Sequence, residues 1–353
     1  MLTEKGLGAL KSNRRDPSRL LELQKIFRPD QQQVDLTERL IVPNAVAIVS
    51  DVEELRHHLD ESLRDNETMA KKSGLNKNQY PMGFCREIRD AVFKELQDKL
   101  SKTDFTAQDN PGLQAITNFL RAGGIAKPFW GIQKEGRYFH NAIQMGNAIL
   151  DVANDTIVGH EEHPVVLHPN LAESPFQNIE SMTQLADIAE HYWKYDVYPN
   201  IYLPNLAPIC PILAIEQFDL KGGSNMDKFR VLTVMSSVEH LVFNNLYTVA
   251  DGHLFGLASD FLFKGRYAEK RLPPAMLEML MSEDNPGLQE IMAVDPEILR
   301  ISNDPKETQT VFAQFHIDKR AKEIPEEYFK KMGRIGKVAG QINRIPLAFI
   351  PAD

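Results

Sequence analysis

Cys85 follows Gly83-Phe84 and opens a stretch in which Ile88, Ala91, Val92 and Leu96 recur at helical spacing. A thiol at the first turn of a helix faces unpaired backbone N–H groups and the positive end of the helix dipole. Both favour the thiolate, which is the nucleophilic form of cysteine. The plain alternative is an inert buried cysteine. A second feature decides between them. Gly146-Asn147 separates two alternating runs, a two-residue turn signal with Gly first. Closing the strands on that turn opposes Met145 to Ala148, Gln144 to Ile149, Ala142 to Asp151 and His140 to Ala153. Because side chains alternate along a strand, His140, Ala142, Gln144, Asp151 and Ala153 all project to one face. His140 and Asp151 become diagonal neighbours, roughly 7–8 Å apart between backbones and within side-chain reach. One extra loop residue would put them on opposite faces.

A thiol at a helix start, a histidine and a carboxylate are the parts of nucleophilic acyl transfer. The imidazole takes the thiol proton and later returns it to the leaving amine. Asp151 holds the productive tautomer and stabilises the charged ring. The backbone N–H of Cys85 and the side chain of Gln79, in the loop before it, are the candidate donors to an oxyanion. Asp155 competes with Asp151 as the orienting carboxylate, but Asn154-Asp155-Thr156 reads as a turn beyond the strand. The reaction needs no metal and no organic cofactor.

The order GFC at a helix start, then FLRAGGIAKPFWGI, then FHNAIQMGNAILDVANDT, resembles the transglutaminase-like core of the papain-like cysteine enzymes. The resemblance covers roughly residues 79–156. It implies an α+β fold in which a Cys-bearing helix packs on an antiparallel sheet, with Cys85 as nucleophile, His140 as base and Asp151 as orienter. It also implies hydrolase or acyltransferase chemistry on a protein or peptide amide: protease, amidase, deamidase or cross-linking activity. The chain departs from the family where an aromatic often follows the His and a Pro the Asp; Asn141-Ala142 and Val152 stand there. A non-catalytic interaction protein that retains the core as a scaffold is the rival reading from another class.

The elements that must position these residues divide the chain of 353 residues into three parts. Residues 1–75 read as a helical N-terminal extension, with a helix start at Asp16-Pro17-Ser18, a short strand at Ala45–Val49 and a polar helix from Asp51 to Gly74. Residues 76–222 read as the catalytic core, with helices at Cys85–Leu100 and Leu113–Arg121. Strands follow at Lys127–Gln133, Arg137–Gln144 and Ala148–Ala153, then a Pro-rich insertion with a helix at Ile179–Trp193 and a strand at Ile212–Phe218. Gly222-Gly223-Ser224 reads as a joint, and residues 225–353 as a helical C-terminal region beginning with an amphipathic helix at Phe229–Ala250. The insertion leaves directly from the Asp151 strand, so its first part is expected to roof the site and restrict its substrate.

Other features carry bland readings. His57 and His58 face different sides of a polar helix and read as solvated. His160, Glu161, Glu162, His163 and His168 lack the His-Glu-x-x-His spacing and are broken by Pro164 and Pro169, so no metal site is expected. Cys210 sits in an apolar run and reads as packing, and Gly222-Gly223 lacks the context of a phosphate or dinucleotide loop. The basic residues from Lys319 to Arg344 are interleaved with acids, as on a solvated helix face. The net charge is −9, which argues against a general binder of nucleic acid or anionic membrane. With two cysteines there is no disulfide framework, and with no signal-peptide or membrane-spanning run the expected compartment is the cytoplasm.

Overall fold

The computed structural model describes residues 26–66, 77–101, 110–133, 138–157, 162–207, 210–220, 227–234, 253–282, 285, 289, 300–320 and 348–351. The chain forms two compact units, Met1–Asn178 and Ile179–Asp353. Among the described residues no helix is long and apolar enough to cross a membrane.

Among the described residues, the first unit packs four helices on one face of a five-stranded sheet. Helix α1 (Gln31–Leu36) is capped by Asp30, whose carboxylate accepts from the Gln33 N–H at 2.9 Å. It continues through a π turn (Thr37–Ile41) and a 3-10 turn (Val42–Asn44) into α2 (Ala45–Arg64). The run at Ala45–Val49, expected as a strand, is therefore the first turn of α2. Helical burial shows why: Ile48, Val52 and Leu55 are buried, whereas Val46 is 86% exposed. Asp51 does not open this helix. It lies inside it and caps another, accepting from the N–H groups of Gly112 (2.8 Å) and Leu113 (3.0 Å). Those amides begin α4 (Pro111–Arg121), while α3 is Cys85–Ser101. Gly112 makes this crossing possible: a Cβ there would lie 2.3 Å from the Ala47 carbonyl oxygen. Residues from α1 and α2 share one apolar core with Ile88, Val92 and Leu96 of α3 and Phe119 of α4, so residues 31–64 belong to the body of the unit.

The sheet runs in the order β4-β3-β2-β1-β5 and all its described pairs are antiparallel. Its strands are β1 (Ala126–Gln133), β2 (Tyr138–Met145), β3 (Ala148–Asp151), β4 (Val166–His168) and β5 (Phe176–Gln177). The register on the two-residue turn is the expected one, with Met145 opposite Ala148, Gln144 opposite Ile149 and Ile143 opposite Leu150. Strand β3 stops at Asp151, two residues short of the expected end, and Ala153 packs with the helix-side core rather than beside Asp151's face. Odd-numbered Ile143 and Met145 face the helices, while Ala142 and Ile149 form a second cluster with Ile26, Phe129 and Phe176. Part of the segment after β3, expected as a roof over the site, is built into the sheet. It supplies β4 beside β3 and then crosses to supply β5 beside β1. His168 of β4 and Phe176 of β5 meet edge to face at 5.6 Å, so the sheet curls until its two outer strands touch.

The second unit has its own antiparallel sheet, in the order β6 (Asp196–Pro199), β7 (Ile212–Leu220), β8 (Asp227–Val234), β9 (Ala348–Pro351). Helices α5 (Met182–Ile188), α6 (His253–Phe263), α7 (Pro274–Met281) and α8 (Pro305–Arg320) accompany it. The helix expected from Phe229 is corrected at its start, since Phe229–Leu232 pairs with both β7 and β9, and its remainder from 235 to 250 lies outside the described residues. The Pro-rich run leads into β7, which pairs with β8 from Leu220 opposite Asp227 to Leu213 opposite Val234, so the strands on either side of Gly222–Ser224 share one sheet. The C-terminal part is thus mixed helix and strand. The joint itself, the helix start at Asp16, the remainder of the polar helix to Gly74 and the basic stretch beyond 320 lie outside the described residues.

Candidate active site

Cys85 is the first residue of α3, with its side chain half-buried. The turn before it is held by backbone bonds, Met82 N–H to Gln79 O (2.7 Å) and Phe84 N–H to Pro81 O (3.0 Å). Phe84 is buried in the helix-side core and its carbonyl accepts the first helical bond, from Ile88 N–H. Together with the buried stripe Ile88, Val92 and Leu96, this fixes which way α3 lies on the sheet and carries the thiol to β2. Arg89, on the same helix, donates to the Phe129 carbonyl at 2.8 Å and ties α3 to β1.

His140 and Asp151 project together on the other sheet face. The imidazole Nε2 lies 2.9 Å from both carboxylate oxygens, with His140 1% and Asp151 0% exposed. Asp151 Oδ1 also accepts the Ala153 N–H at 3.0 Å, so the turn that ends β3 aims the carboxylate. Burial by itself opposes a charged ring. The Asp151 charge and hydrogen bond outweigh it, with Cys85 within hydrogen-bonding reach of the ring adding to them, and His140 is pushed up to about 10. With Nε2 engaged by Asp151, Nδ1 is the nitrogen left for the thiol. Phe176 stacks on the imidazole at 5.6 Å between centroids, and Phe129 meets Phe176 edge to face. His168 sits against the same Phe176, and its own imidazole is shifted down, chiefly by burial.

Alternation would put His140 and Asn141 on opposite faces, yet both approach Cys85. The β2–β3 ladder runs only over Ile143–Met145, so at residues 140–141 β2 has no β3 partner beside it. An uncovered strand edge is where side chains from both faces can reach one atom. Asn141, which is 4% exposed, donates from Nδ2 to Cys85 Sγ at 3.3 Å. Sequence reasoning noted Asn141 only as a departure from the family pattern, because strict alternation puts it on the face away from His140.

Gln79 is exposed at the end of the turn Lys77–Gln79, and the amide that touches the thiol is Asn141's. Asp155, the rival orienter, faces Arg56 instead: its Oδ2 accepts from Nη1 at 3.3 Å and from Nη2 at 3.4 Å. The same guanidinium, which is wholly buried, donates to the Tyr80 hydroxyl and has Nε 3.0 Å from Asp60 Oδ1. Arg56 thereby fastens the loop before Cys85 and the turn after Asp151 to one helix. Burial raises Asp155 and outweighs the lowering by Arg56. His57 and His58 are exposed and Cys210 is buried. No group of three or more metal-ligating side chains is gathered among the described residues, which exclude His160 and Glu161.

The arrangement has the parts for proton transfer from a thiol to an imidazole held by a buried carboxylate. No family model, curated protein or solved structure matches the chain.

Proposed function

We propose that the chain is a cysteine-nucleophile enzyme that transfers the acyl group of a protein or peptide amide through a thioester on Cys85. The observation that carries this reading is the buried His140, whose Nε2 meets both oxygens of Asp151 while Cys85 lies within hydrogen-bonding reach of the same ring. The order of a Cys helix, a His strand and an Asp strand supports reading the first unit as a transglutaminase-like core.

The thiol proton passes to His140, giving a thiolate–imidazolium pair, and in the first half-reaction Sγ bonds to the carbonyl carbon as the C=O electron pair moves to oxygen. Collapse of that adduct breaks the C–N bond, and the imidazolium gives its proton to the departing amine. In the second half, water, an amine or another acceptor attacks the thioester carbonyl. His140 takes the acceptor's proton and the Cys85 thiolate leaves. Asp151 keeps its charge throughout, holding the ring with Nδ1 toward sulfur and stabilising the imidazolium. Fold alone does not choose the acceptor, since that depends on the walls around the sulfur.

A brief iodoacetamide pulse at pH 6, read by intact-mass spectrometry and peptide mapping, tests the reading. Cys85 should be alkylated while Cys210 stays unmodified, and His140→Ala should slow the reaction at Cys85 by at least tenfold. Equal rates in wild type and His140→Ala would mean that the imidazole does not activate the thiol. The scaffold reading would then stand in place of the enzyme.

A further inference from the structure

The side chain of Asn141 has no place in the proton relay, yet it is buried against the reacting atom. Its carboxamide is taken out of water and its Nδ2 donates to Sγ at 3.3 Å. Its surroundings change when the thiol reacts. As Sγ bonds to a carbonyl carbon, the negative charge moves to an oxygen one bond beyond that carbon. A donor already against Sγ needs only a small side-chain rotation to lie about 2.7–3.1 Å from that oxygen, the distance an oxyanion donor requires. Asn141 lies on the central part of the sheet, and its position is fixed by the pairing of Trp130 with Asn141 across β1 and β2. The second donor is the backbone N–H of Cys85, which at the first position of α3 has no intrahelical acceptor.

We propose that Asn141 supplies the side-chain donor that holds the oxyanion formed at the Cys85 acyl adduct, the role for which the sequence offered Gln79. This rests on the acyl-transfer reading above, and the two are separated by choice of reagent. p-Nitrophenyl acetate acylates a thiol through a tetrahedral oxyanion. Sulfur bonds to the acetyl carbon, p-nitrophenolate departs, and the thiol proton passes to His140. Iodoacetamide alkylates the same thiol by displacing iodide at a saturated carbon, and no oxyanion forms.

In wild type, p-nitrophenyl acetate should give a burst of p-nitrophenolate with Cys85 carrying the acetyl group. In Asn141→Ala the burst rate should fall roughly 100-fold, while alkylation by iodoacetamide at the same pH changes less than threefold. Asn141→Leu, closer in volume to the native side chain, should behave the same way and guards against loss through a cavity. Retained alkylation also shows that the site is folded in either variant. A parallel fall in both rates would mean that Asn141 acts on the sulfur itself, and no fall in acylation would mean that it has no role. Either overturns the proposal. The absence of any acyl-enzyme in wild type, with alkylation intact, would instead overturn the acyl-transfer reading and the oxyanion role with it.

Discussion

Asp151→Asn changes the chemistry of the site while leaving its volume nearly the same. Asp151 Oδ1 accepts the Ala153 N–H at 3.0 Å, and both carboxylate oxygens stand 2.9 Å from His140 Nε2. The Ala153 N–H needs an acceptor, so in the variant the amide oxygen takes the place of Oδ1 and the NH2 that of Oδ2. An NH2 group at hydrogen-bond distance from Nε2 favours the tautomer with a lone pair there. The ring proton then sits on Nδ1, the nitrogen that must receive the thiol proton. The variant also loses the charge that overcomes burial and raises His140 from 6.5 to about 10. Loss of that charge, together with the wrong tautomer, removes most of what a positioned base supplies, a loss of roughly 10³-fold in reaction at Cys85 near neutral pH. The value lies inside the range of about 10²–10⁴ that a positioned base supplies. The assay is the second-order rate of iodoacetamide alkylation at pH 6, read at Cys85 by mass, with near-UV circular dichroism confirming native packing. A folded Asp151→Asn protein that alkylates within threefold of wild type would refute the argument that this carboxylate sets the base.

Three further outcomes follow from the same contacts. His140 is raised in the folded state, so its pairing with Asp151 stabilises the fold fully below about pH 6.5 and less as pH rises toward about 10; in urea unfolding, the gap between wild type and His140→Gln should be widest at pH 6 and shrink by pH 10. Arg56→Met leaves the buried Asp155 without its cation and should cost roughly 3–5 kcal/mol at pH 7. Because the loss of Arg56 pushes Asp155 further up, chemical denaturation should show a smaller cost at pH 4.5 than at pH 7. Gly112→Ala drives a Cβ to 2.3 Å from the Ala47 carbonyl oxygen and should cost roughly 3 kcal/mol or more, visible as a lowered thermal midpoint.

What could be seen in the sequence was set by local periodicity. Gly146 has φ of 57° and its missing Cβ leaves room for Thr37 Oγ1, so Gly146-Asn147 allowed one tight turn, and period two then put His140 and Asp151 on one face. The register needed no knowledge of the rest of the chain. The apolar run at Ala45–Val49 was too short to separate strand from helix, and the stripe that decides it, Ile41, Ile48, Val52 and Leu55, reaches beyond the run on both sides. Phe229–Val234 was misread because Leu232 starts an i, i+3 series. Only its neighbours β7 and β9, one of them more than a hundred residues away, make it a strand. Arg56 was hidden for the same reason. Nothing near it in the sequence shows that Tyr80 and Asp155 converge on it. Asn141 was not legible as a partner of the thiol, since its contact with sulfur depends on where the β2–β3 ladder ends.

The curl that brings β5 round to β4 also has a bearing on when the thiol becomes reactive. Synthesis runs from the N-terminus, so Cys85, His140 and Asp151 all exist before Phe176 does. At that stage β1 has one bare edge and His140 has one bare face, since the partners of both lie in the segment still to be made. A contact between residues so far apart along the chain is among the slow ones to form, because its ends must be brought together against the entropy of the intervening chain. The topology thus sets an order of assembly. A nascent chain carries its nucleophile, base and carboxylate on an unfinished sheet, and the imidazole gains its covering ring only when the last strand of the unit docks.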